Sequence, residues 1–231
     1  MTTAPLGMAE LANMSFWLAT AIMLASTVFF FVERADVGSK WKTSMTVAGL
    51  VTGIAFWHYL RMSNLNSAGE ATTVYRYVDW LITVPLQIVE FYLILLAVTA
   101  VTSALFWRLL GASVVMLVFG FLGESGLFDA TLGFAVGMAA WIYIIYEVFS
   151  GEASKLSATS GNKGGQFAFN TLRLILTAGW AIYPIGYFFG YLGGGTDVNT
   201  VNIIYNIADL VNKTAFGLAI WAGAKMDSEN S

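Results

Sequence analysis

The sequence predicts an all-α membrane protein that folds as a bundle of seven transmembrane helices. Of its 231 residues, 58% are hydrophobic and 11% are charged, and the mean hydropathy is +0.71. A soluble domain needs a larger polar surface than this composition provides. Seven mostly apolar stretches recur along the chain, each close to the ~20 residues that an α-helix needs to cross the ~30 Å hydrocarbon core of a bilayer.

The bounds of the seven spans follow from the polar or glycine-rich segments that separate them. The spans are approximately 14–32, 44–62, 73–99, 104–123, 128–149, 167–192 and 200–224. The separating segments, in chain order, read ERADVGSKWK, SNLNSAGE, TSALFWR, GESG, SGEASKLSATSGNKGG and GGGTDVN. The fifth, within residues 150–166, is the longest and is predicted to be a flexible loop. No repeat of fixed period is visible, so residues 1–231 are predicted to form one domain.

Lysine and arginine predict the orientation, because the cytoplasmic connections of membrane proteins are enriched in both. If the N-terminus lies outside, the basic residues that fall on the inner side are Arg34, Lys40, Lys42, Arg108, Lys155, Lys163 and Lys225. Only Arg61 then falls on the outer side. The N-terminus is therefore predicted to lie outside and the C-terminus inside.

A ladder of polar residues runs along the third span: Arg76, Asp79, Thr83, Gln87 and Glu90. The last three follow Asp79 by 4, 8 and 11 residues, which correspond to rotations of about 40°, 80° and 20°, so one helix face carries them. Ionisable groups at membrane depth are costly and usually mark ion or substrate pathways. The alternatives are ordinary hydrogen bonding, between helices for Glu90 and to its own helix for Thr83.

Lys213 lies about 20 Å into the seventh span, near the middle of the membrane. Asp209 precedes it by four residues, so the two side chains share a face. A desolvated lysine amine forms Schiff bases with carbonyl compounds. The alternative is a buried Lys213–Asp209 ion pair, which costs several kcal/mol per ion unless its geometry offsets that cost. With Arg76 and Asp79 nearby, the formal charges of the four groups sum to zero.

The composition excludes several classes of function. The chain has no cysteine, which removes disulfides, thiolate nucleophiles and iron–sulfur ligation. Its single histidine, His58, makes a multi-histidine metal site impossible, and we predict no metal. The net charge is −3 and the basic residues form no run, so we predict no nucleic-acid partner.

Six motifs identify a protein family when taken together, although each alone is a weak signal. They are FFFVER, GLVTGIAFWHY, RYVDWLITVPL, FYLIL, GWAIYPIGYF and IIYNIADLVNK. In this order they resemble the helices of the microbial rhodopsins, and specifically the proteorhodopsins, across essentially all seven spans. The resemblance implies a light-driven outward proton pump, a transporter rather than an enzyme. It also implies a multi-pass protein of the bacterial plasma (inner) membrane, embedded in the lipid bilayer, with all-trans retinal as its chromophore.

The resemblance further implies roles for individual residues. Lys213 corresponds to the lysine that carries the retinal Schiff base, Asp79 to the primary counterion and proton acceptor, and Asp209 to the second counterion. Glu90 corresponds to the proton donor on the inner side, and Arg76 to the arginine that stabilises the counterions. Thr83 completes the family's proton-pump triad with Asp79 and Glu90. The residues that match the lining of the retinal pocket are Trp80, Trp180, Tyr183, Pro184 and Tyr205. Plain core packing is the alternative for the aromatic residues.

Three further positions match features of the proteorhodopsins. Gln87 corresponds to a site that carries leucine or glutamine, and glutamine there is associated with blue absorption. Its alternative is a hydrogen bond to a neighbouring helix. His58 corresponds to a histidine bonded to the acceptor carboxylate, with an ordinary packing role as the alternative. Trp17 matches a position that reaches this histidine from a neighbouring protomer, which implies a homo-pentamer or homo-hexamer.

The sequence is also compatible with two other functions. A photosensory rhodopsin of the same fold signals through a partner, although the paired Asp79 and Glu90 favour a pump because sensors often lose the donor. A seven-helix receptor or transporter without a chromophore uses Lys213 only as an ion-pair partner.

Overall fold

A computed structural model describes residues 6–229 of the chain. Nine α-helices lie within these residues: α1 (Met8–Glu33), α2 (Lys42–Ser67), α3 (Thr73–Val98), α4 (Ser103–Glu124), α5 (Ala130–Phe149), α6 (Glu152–Thr159), α7 (Lys163–Leu174), α8 (Ile182–Tyr187) and α9 (Val198–Glu229). Short 3₁₀ turns, Arg34–Asp36 and Ser39–Trp41, connect α1 to α2.

The predicted seven-helix bundle is confirmed. Helices α1 to α5 and α9 each form one span, and the sixth span runs through α7 and α8. Helix α1 packs against α2 and α9, α3 packs against α2 and α4, and α7 packs against α9. We call the end where α1 begins the outer end and the end where α9 finishes the inner end, following the orientation predicted from the basic residues.

Five stretches are long and apolar enough to cross a membrane by length and composition: Met8–Asp36, Thr73–Val98, Ser103–Glu124, Ala130–Thr159 and Lys163–Leu192. Helices α2 and α9 are not among them. Both carry a row of buried polar side chains that faces the bundle, such as Thr52 and Ser63 in α2, and Asn206 and Asp209 in α9. Their lower hydropathy thus reflects the inward face of each helix.

Several helices extend beyond the predicted spans. Helix α1 begins at Met8 where the apolar pattern predicted residue 14, and α9 continues to Glu229 where it predicted residue 224. The prediction located the apolar segment that crosses the hydrocarbon, whereas backbone hydrogen bonding carries a helix on into the polar interface.

The prediction of a flexible loop at residues 150–166 is wrong, because this segment contains helix α6. Arg108 Nη2 lies 2.5 Å from Glu152 Oε2, and the Ala153 amide donates to Glu147 Oε1 at 3.2 Å. These bonds join the first turn of α6 to the inner ends of α4 and α5. The serine-rich composition suggested a loop, but these anchors hold the segment as a helix.

The sixth span departs twice from α-helical geometry. Residues Ile175–Gly179 and Phe188–Leu192 are π-helical. Side chains of neighbouring helices bond to carbonyls of the first π segment: Trp141 Nε1 donates to the Leu176 carbonyl at 3.2 Å, and Asn212 Nδ2 to the Gly179 carbonyl at 3.0 Å. A Cβ atom on Gly179 would lie 2.0 Å from Asn212 Oδ1. A side chain at this position would therefore force the Asn212 amide to move.

Asp227 ties three elements together at the inner end. Its carboxylate accepts hydrogen bonds from Trp41 Nε1 at 2.7 Å and Asn162 Nδ2 at 2.5 Å, and Lys40 Nζ lies 2.7 Å away. Burial by itself would raise the pKa of Asp227, but the bonds from Lys40, Trp41 and Asn162 outweigh it and lower that pKa. The carboxylate thus links the α1–α2 connection, the start of the sixth span and the end of α9.

Candidate functional site

A buried cluster of charges lies between α3 and α9. Lys213 Nζ lies 2.5 Å from Asp79 Oδ2 and 2.8 Å from Asp209 Oδ2. All three side chains are almost completely buried. The structure therefore brings together the lysine and the two carboxylates that the sequence predicted to meet. A lysine between two carboxylates in a dry interior is stabilised as a cation.

The two carboxylates differ in their hydrogen bonds. Asp209 accepts from the Tyr183 hydroxyl at 2.7 Å, the Tyr59 hydroxyl at 2.9 Å and Trp80 Nε1 at 3.1 Å. Asp79 Oδ2 contacts Lys213 and Thr83, whereas Asp79 Oδ1 accepts no hydrogen bond of good geometry within residues 6–229 and has His58 Nδ1 3.4 Å away. Because hydrogen bonds to the charged form stabilise an anion, Asp209 is the more firmly held as a carboxylate. Asp79 has fewer donors around its carboxylate.

Thr83 and His58 flank Asp79. Thr83 Oγ1 donates to the Asp79 carbonyl at 3.0 Å and lies 3.5 Å from its Oδ2. His58 Nδ1 lies 3.4 Å from Asp79 Oδ1 and 3.0 Å from the Ile54 carbonyl, with which it forms the better hydrogen bond. The structure thus brings His58 next to Asp79, as expected, but the ring nitrogen bonds to its own helix.

Glu90 lies deeper in the bundle, toward the inner end. It follows Asp79 by 11 residues, which is ~16 Å along the helix axis. It is completely buried, and its carboxyl oxygens make no hydrogen bond of good geometry within residues 6–229, although the Ser44 side chain of α2 lies close to them. A buried carboxyl group with so little polar contact is most stable in its neutral form. Glu90 is therefore suited to hold a proton in reserve.

A cavity opens beside the charged cluster. About 760 Å³ of space outside protein atoms lies in and around it, part of which is open to the surface. Its lining includes Lys213, the tuning residue Gln87 and the five predicted pocket residues Trp80, Trp180, Tyr183, Pro184 and Tyr205. Gln87 Nε2 is buried here and has no hydrogen-bond partner among the described residues.

Several residues of the site were missed by sequence reasoning. Tyr59 bonds to Asp209, Trp141 lines the cavity, and Glu124 accepts from the Tyr205 hydroxyl at 3.2 Å. Tyr59 and Trp141 stand in apolar runs and carried no signal. Glu124 falls in the GESG segment, which was assigned to a connection.

Asn202 and Asn206 were also missed, although the sequence held a signal for them. They precede Asp209 and Lys213 on α9, and the four residues are spaced so that one helix face carries them all. Both asparagines bond to the buried Arg76, which lies one turn outward of Asp79. Within residues 6–229, no group of three or more histidine, aspartate or glutamate side chains is arranged to hold a metal ion.

Comparison with known proteins agrees with the resemblance seen in the motifs. Residues 10–226 match the model of a family described as bacteriorhodopsin-like protein. The chain is 54% identical over 224 residues to the green-light absorbing proteorhodopsin of Gamma-proteobacterium EBAC31A08, an alignment that covers 96% of this chain and 90% of that protein.

Solved structures show the same relationship. The crystal structure of blue light-absorbing proteorhodopsin from Med12 is 61% identical, with a TM-score of 0.80, and the match covers 92% of this chain and 97% of that one. Xanthorhodopsin, a light-driven ion pump with dual chromophore, is 29% identical, with a TM-score of 0.85 and coverage of 97% and 96%. The chain therefore belongs to the bacteriorhodopsin-like family of microbial rhodopsins and, within it, to the proteorhodopsins.

Proposed function

We propose that this protein is a light-driven outward proton pump in which all-trans retinal is bound to Lys213 as a Schiff base. One observation carries the proposal: the Lys213 amine lies in the wall of an aromatic cavity, between two carboxylates with unequal hydrogen bonding. The similarity to proteorhodopsins and to a light-driven ion pump supports it. The protein is a transporter rather than an enzyme.

The residues present fit retinal. A long apolar aldehyde needs an amine for its carbonyl carbon and flat apolar walls for its chain. The cavity offers the Lys213 amine at a polar boundary, and indole and phenol rings such as those of Trp80, Trp141, Trp180 and Tyr183 elsewhere in its lining. Asp79 and Asp209 supply the negative charge that a protonated Schiff base needs. Bound retinal supplies visible-light absorption and a change of shape that displaces the Lys213 nitrogen.

The first proton movement runs from the Lys213 nitrogen to Asp79. In the dark, the cation on Lys213 keeps Asp79 ionised and Asp79 holds the proton in place. Displacement of the nitrogen weakens that attraction, and a proton transfer then neutralises both buried charges. Asp79 rather than Asp209 accepts it, because Tyr59, Tyr183 and Trp80 already stabilise Asp209 as an anion.

Glu90 then supplies the Lys213 nitrogen with a new proton from the inner side. The two carboxyl groups are ~16 Å apart along α3, and the Lys213 nitrogen contacts Asp79, the outer of the two. Phe91, which directly follows Glu90 on α3, packs edge to face against Phe169 and Phe216 in the inner half of the bundle. Direction follows from this order: release occurs toward the outer end and uptake from the inner end.

The proposal includes the setting of the pump. The chain forms one domain in the bacterial inner membrane, with its N-terminus outside and its C-terminus inside, as the basic residues favour. It assembles as a homo-pentamer or homo-hexamer through the surface near Trp17 and His58. The Trp17 side chain is 53% exposed, which leaves it available to a neighbouring protomer.

Cells that carry the pigment are expected to acidify an unbuffered medium when illuminated. The experiment is done at neutral to alkaline pH, because the first transfer needs Asp79 ionised in the dark. A protonophore should abolish the signal, and cells given no retinal serve as the matched control. Alkalinisation in the light would contradict outward transport. A pigment that absorbs light without moving protons would favour a sensor.

Gln87 supports a further proposal, that the native pigment absorbs blue light. An amide dipole in the cavity wall stabilises positive charge near the Lys213 nitrogen in the dark, whereas absorption moves that charge away, so the dipole widens the energy gap. Gln87→Leu removes the dipole at similar volume. The absorption maximum should therefore move to longer wavelength while pumping is retained.

The matched control is Gln166→Leu, the same change at the inner end, where the amide bonds to backbone carbonyls of α6. Its spectrum should superimpose on that of the parent. Superimposable spectra of Gln87→Leu and the parent, at a pH where Asp79 is ionised in both, would reduce Gln87 to a packing residue.

A further inference from the structure

Arg76 is a buried cation without a carboxylate partner. Its side chain is 2% exposed, and within residues 6–229 it makes no ion pair. Burying an unpaired charge is costly, and two carboxylates, Asp79 and Asp209, lie only one helical turn away. Some feature of the structure must therefore keep the guanidinium from pairing with them.

Neutral oxygen atoms hold the guanidinium instead. Arg76 Nη2 donates to Asn206 Oδ1 at 3.0 Å and to Asn202 Oδ1 at 3.1 Å, and Nη1 donates to the Tyr59 hydroxyl at 3.3 Å. Four aromatic rings lie 5.4 to 6.0 Å from the guanidinium carbon: Phe16, Tyr59, Trp80 and Tyr205. Hydrogen bonds and cation–π contacts thus replace an ion pair.

The two asparagines are fixed in the orientation that this contact requires. Asn206 Nδ2 donates to Ser15 Oγ at 2.9 Å, and Asn202 Nδ2 donates to Asn66 Oδ1 at 3.1 Å. Both asparagines are buried. Because each amide nitrogen is bonded to α1 or α2, each amide oxygen must face Arg76. We call this pair, Asn202 and Asn206, the amide clamp.

The Tyr59 hydroxyl lies between Arg76 and the charged cluster. Its hydroxyl accepts from Arg76 and donates to Asp209 Oδ2 at 2.9 Å. The guanidinium is therefore one hydroxyl group away from a carboxylate. Without the clamp, the attraction of two nearby anions in a dry interior would draw the arginine inward.

We propose that Asn202 and Asn206 are positioning residues that hold Arg76 apart from the Asp79–Lys213–Asp209 cluster. A direct ion pair with Arg76 would hold Asp79 as an anion and oppose its uptake of a proton. The clamp keeps the cation near enough to balance the cluster's charge and far enough to leave Asp79 able to accept. The inference rests on the proposed role of Asp79 as acceptor.

Other titratable groups face the same region and are part of its electrostatics. Asp79 is flanked by His58 from α2, and by Lys213 and Asp209 from α9. On the outer side, a second cavity is lined by Arg76 and by Glu124 from α4, Tyr191 from the sixth span and Tyr205 from α9. The test must therefore change the clamp and leave these groups in place.

Two substitutions of Asn206 should shift the acceptor in opposite directions. The readout is the pH titration of the visible band of the retinal-bound protein in the dark, which follows the protonation of Asp79. Asn206→Leu removes the neutral acceptor, so Arg76 moves inward and the midpoint should fall by about one pH unit, a tenfold change in proton affinity. Asn206→Asp holds Arg76 outward and adds a negative charge, so the midpoint should rise by a similar amount.

Asn199 offers a matched control on the same helix, because it is partly exposed and, among the described residues, its side-chain amide bonds to Asp197 alone. Asn199→Leu and Asn199→Asp should leave the midpoint unchanged. The same pair of substitutions at Asn202 repeats the test at the second oxygen and decides the question where an Asn206 variant does not fold. Shifts in the same direction for the leucine and aspartate variants, or no shift in either, would overturn the inference.

A separate variant distinguishes failure of the clamp from failure of the proposed function. Asp79→Asn should abolish the titration. If it does, and the clamp variants titrate with the same midpoint as the parent, only the positioning role is wrong. If the titration survives in Asp79→Asn, the acceptor itself has been misassigned.

Discussion

Lys213→Ala is expected to abolish the visible absorption band completely. The amine lies at the boundary between the aromatic cavity and the two carboxylates, and no other lysine in residues 6–229 lines that cavity. The change also leaves Asp79 and Asp209 without their cation. Breaking a buried pair in this way costs about 3–5 kcal/mol, so the variant should also be less stable than the parent.

The measurement is an absorption spectrum of the purified protein after incubation with retinal, beside a circular dichroism spectrum that shows the helices intact. Lys225→Ala is the matched control, since Lys225 lies on the same helix and pairs with Glu33 near the inner surface. It should keep the band. A folded Lys213→Ala protein that retained the band would remove the Schiff-base assignment.

Asp79→Asn is expected to stop light-driven acidification while the pigment still forms. An amide cannot take the proton that leaves the Lys213 nitrogen, and Asp209 is held as an anion by three donors.

Glu90→Gln should behave differently, because Asp79 remains able to accept. Recovery of the dark spectrum after a flash should slow by about 10²-fold, at the lower end of what a positioned acid or base contributes.

Both variants are measured in the same vesicles, as the light-induced pH change and the recovery rate after a flash. Asp36→Asn, a change at an exposed residue of the α1–α2 connection, should match the parent in both. Full pumping by Asp79→Asn would transfer the acceptor role to Asp209. An unchanged recovery rate in Glu90→Gln would mean that protons reach the Lys213 nitrogen by another route.

The architecture was largely predictable because the bilayer imposes a length on every span. The alternation of apolar segments and polar connections located seven spans, including α2 and α9, whose polar inward faces lower their hydropathy. It did not locate helix ends, since α1 and α9 continue past the apolar core. It also failed at α6, where Arg108 bonds to Glu152 from 44 residues away and the Glu147 carboxylate accepts a hydrogen bond from the Ala153 amide. Neither contact can be read from the composition of the segment itself.

The charged part of the site was predictable for the same reason: an ionised group at membrane depth needs a purpose. Lys213, Asp79 and Asp209 were identified by their depth, and the structure places them in contact. The groups that tune them were not. Tyr59 looks like core, and the roles of Asn202 and Asn206 depend on the direction of Arg76. That direction is set by contacts between four helices, which no single helical pattern reveals.

The first π-helical segment of the sixth span, Ile175–Gly179, has a consequence for helix phase. A π-bulge places one extra residue in a helical turn, and one residue corresponds to about 100° of rotation. Everything that follows it in the span, including Tyr183 and Pro184, is turned by that angle relative to an unbroken α-helix. Removing a single residue from the segment would restore regular backbone bonding, yet it would rotate those two side chains away from the cavity they line. The bulge therefore determines which side chains of the following helix face the cavity. An insertion or deletion upstream of Tyr183 would disrupt the cavity lining more than most substitutions.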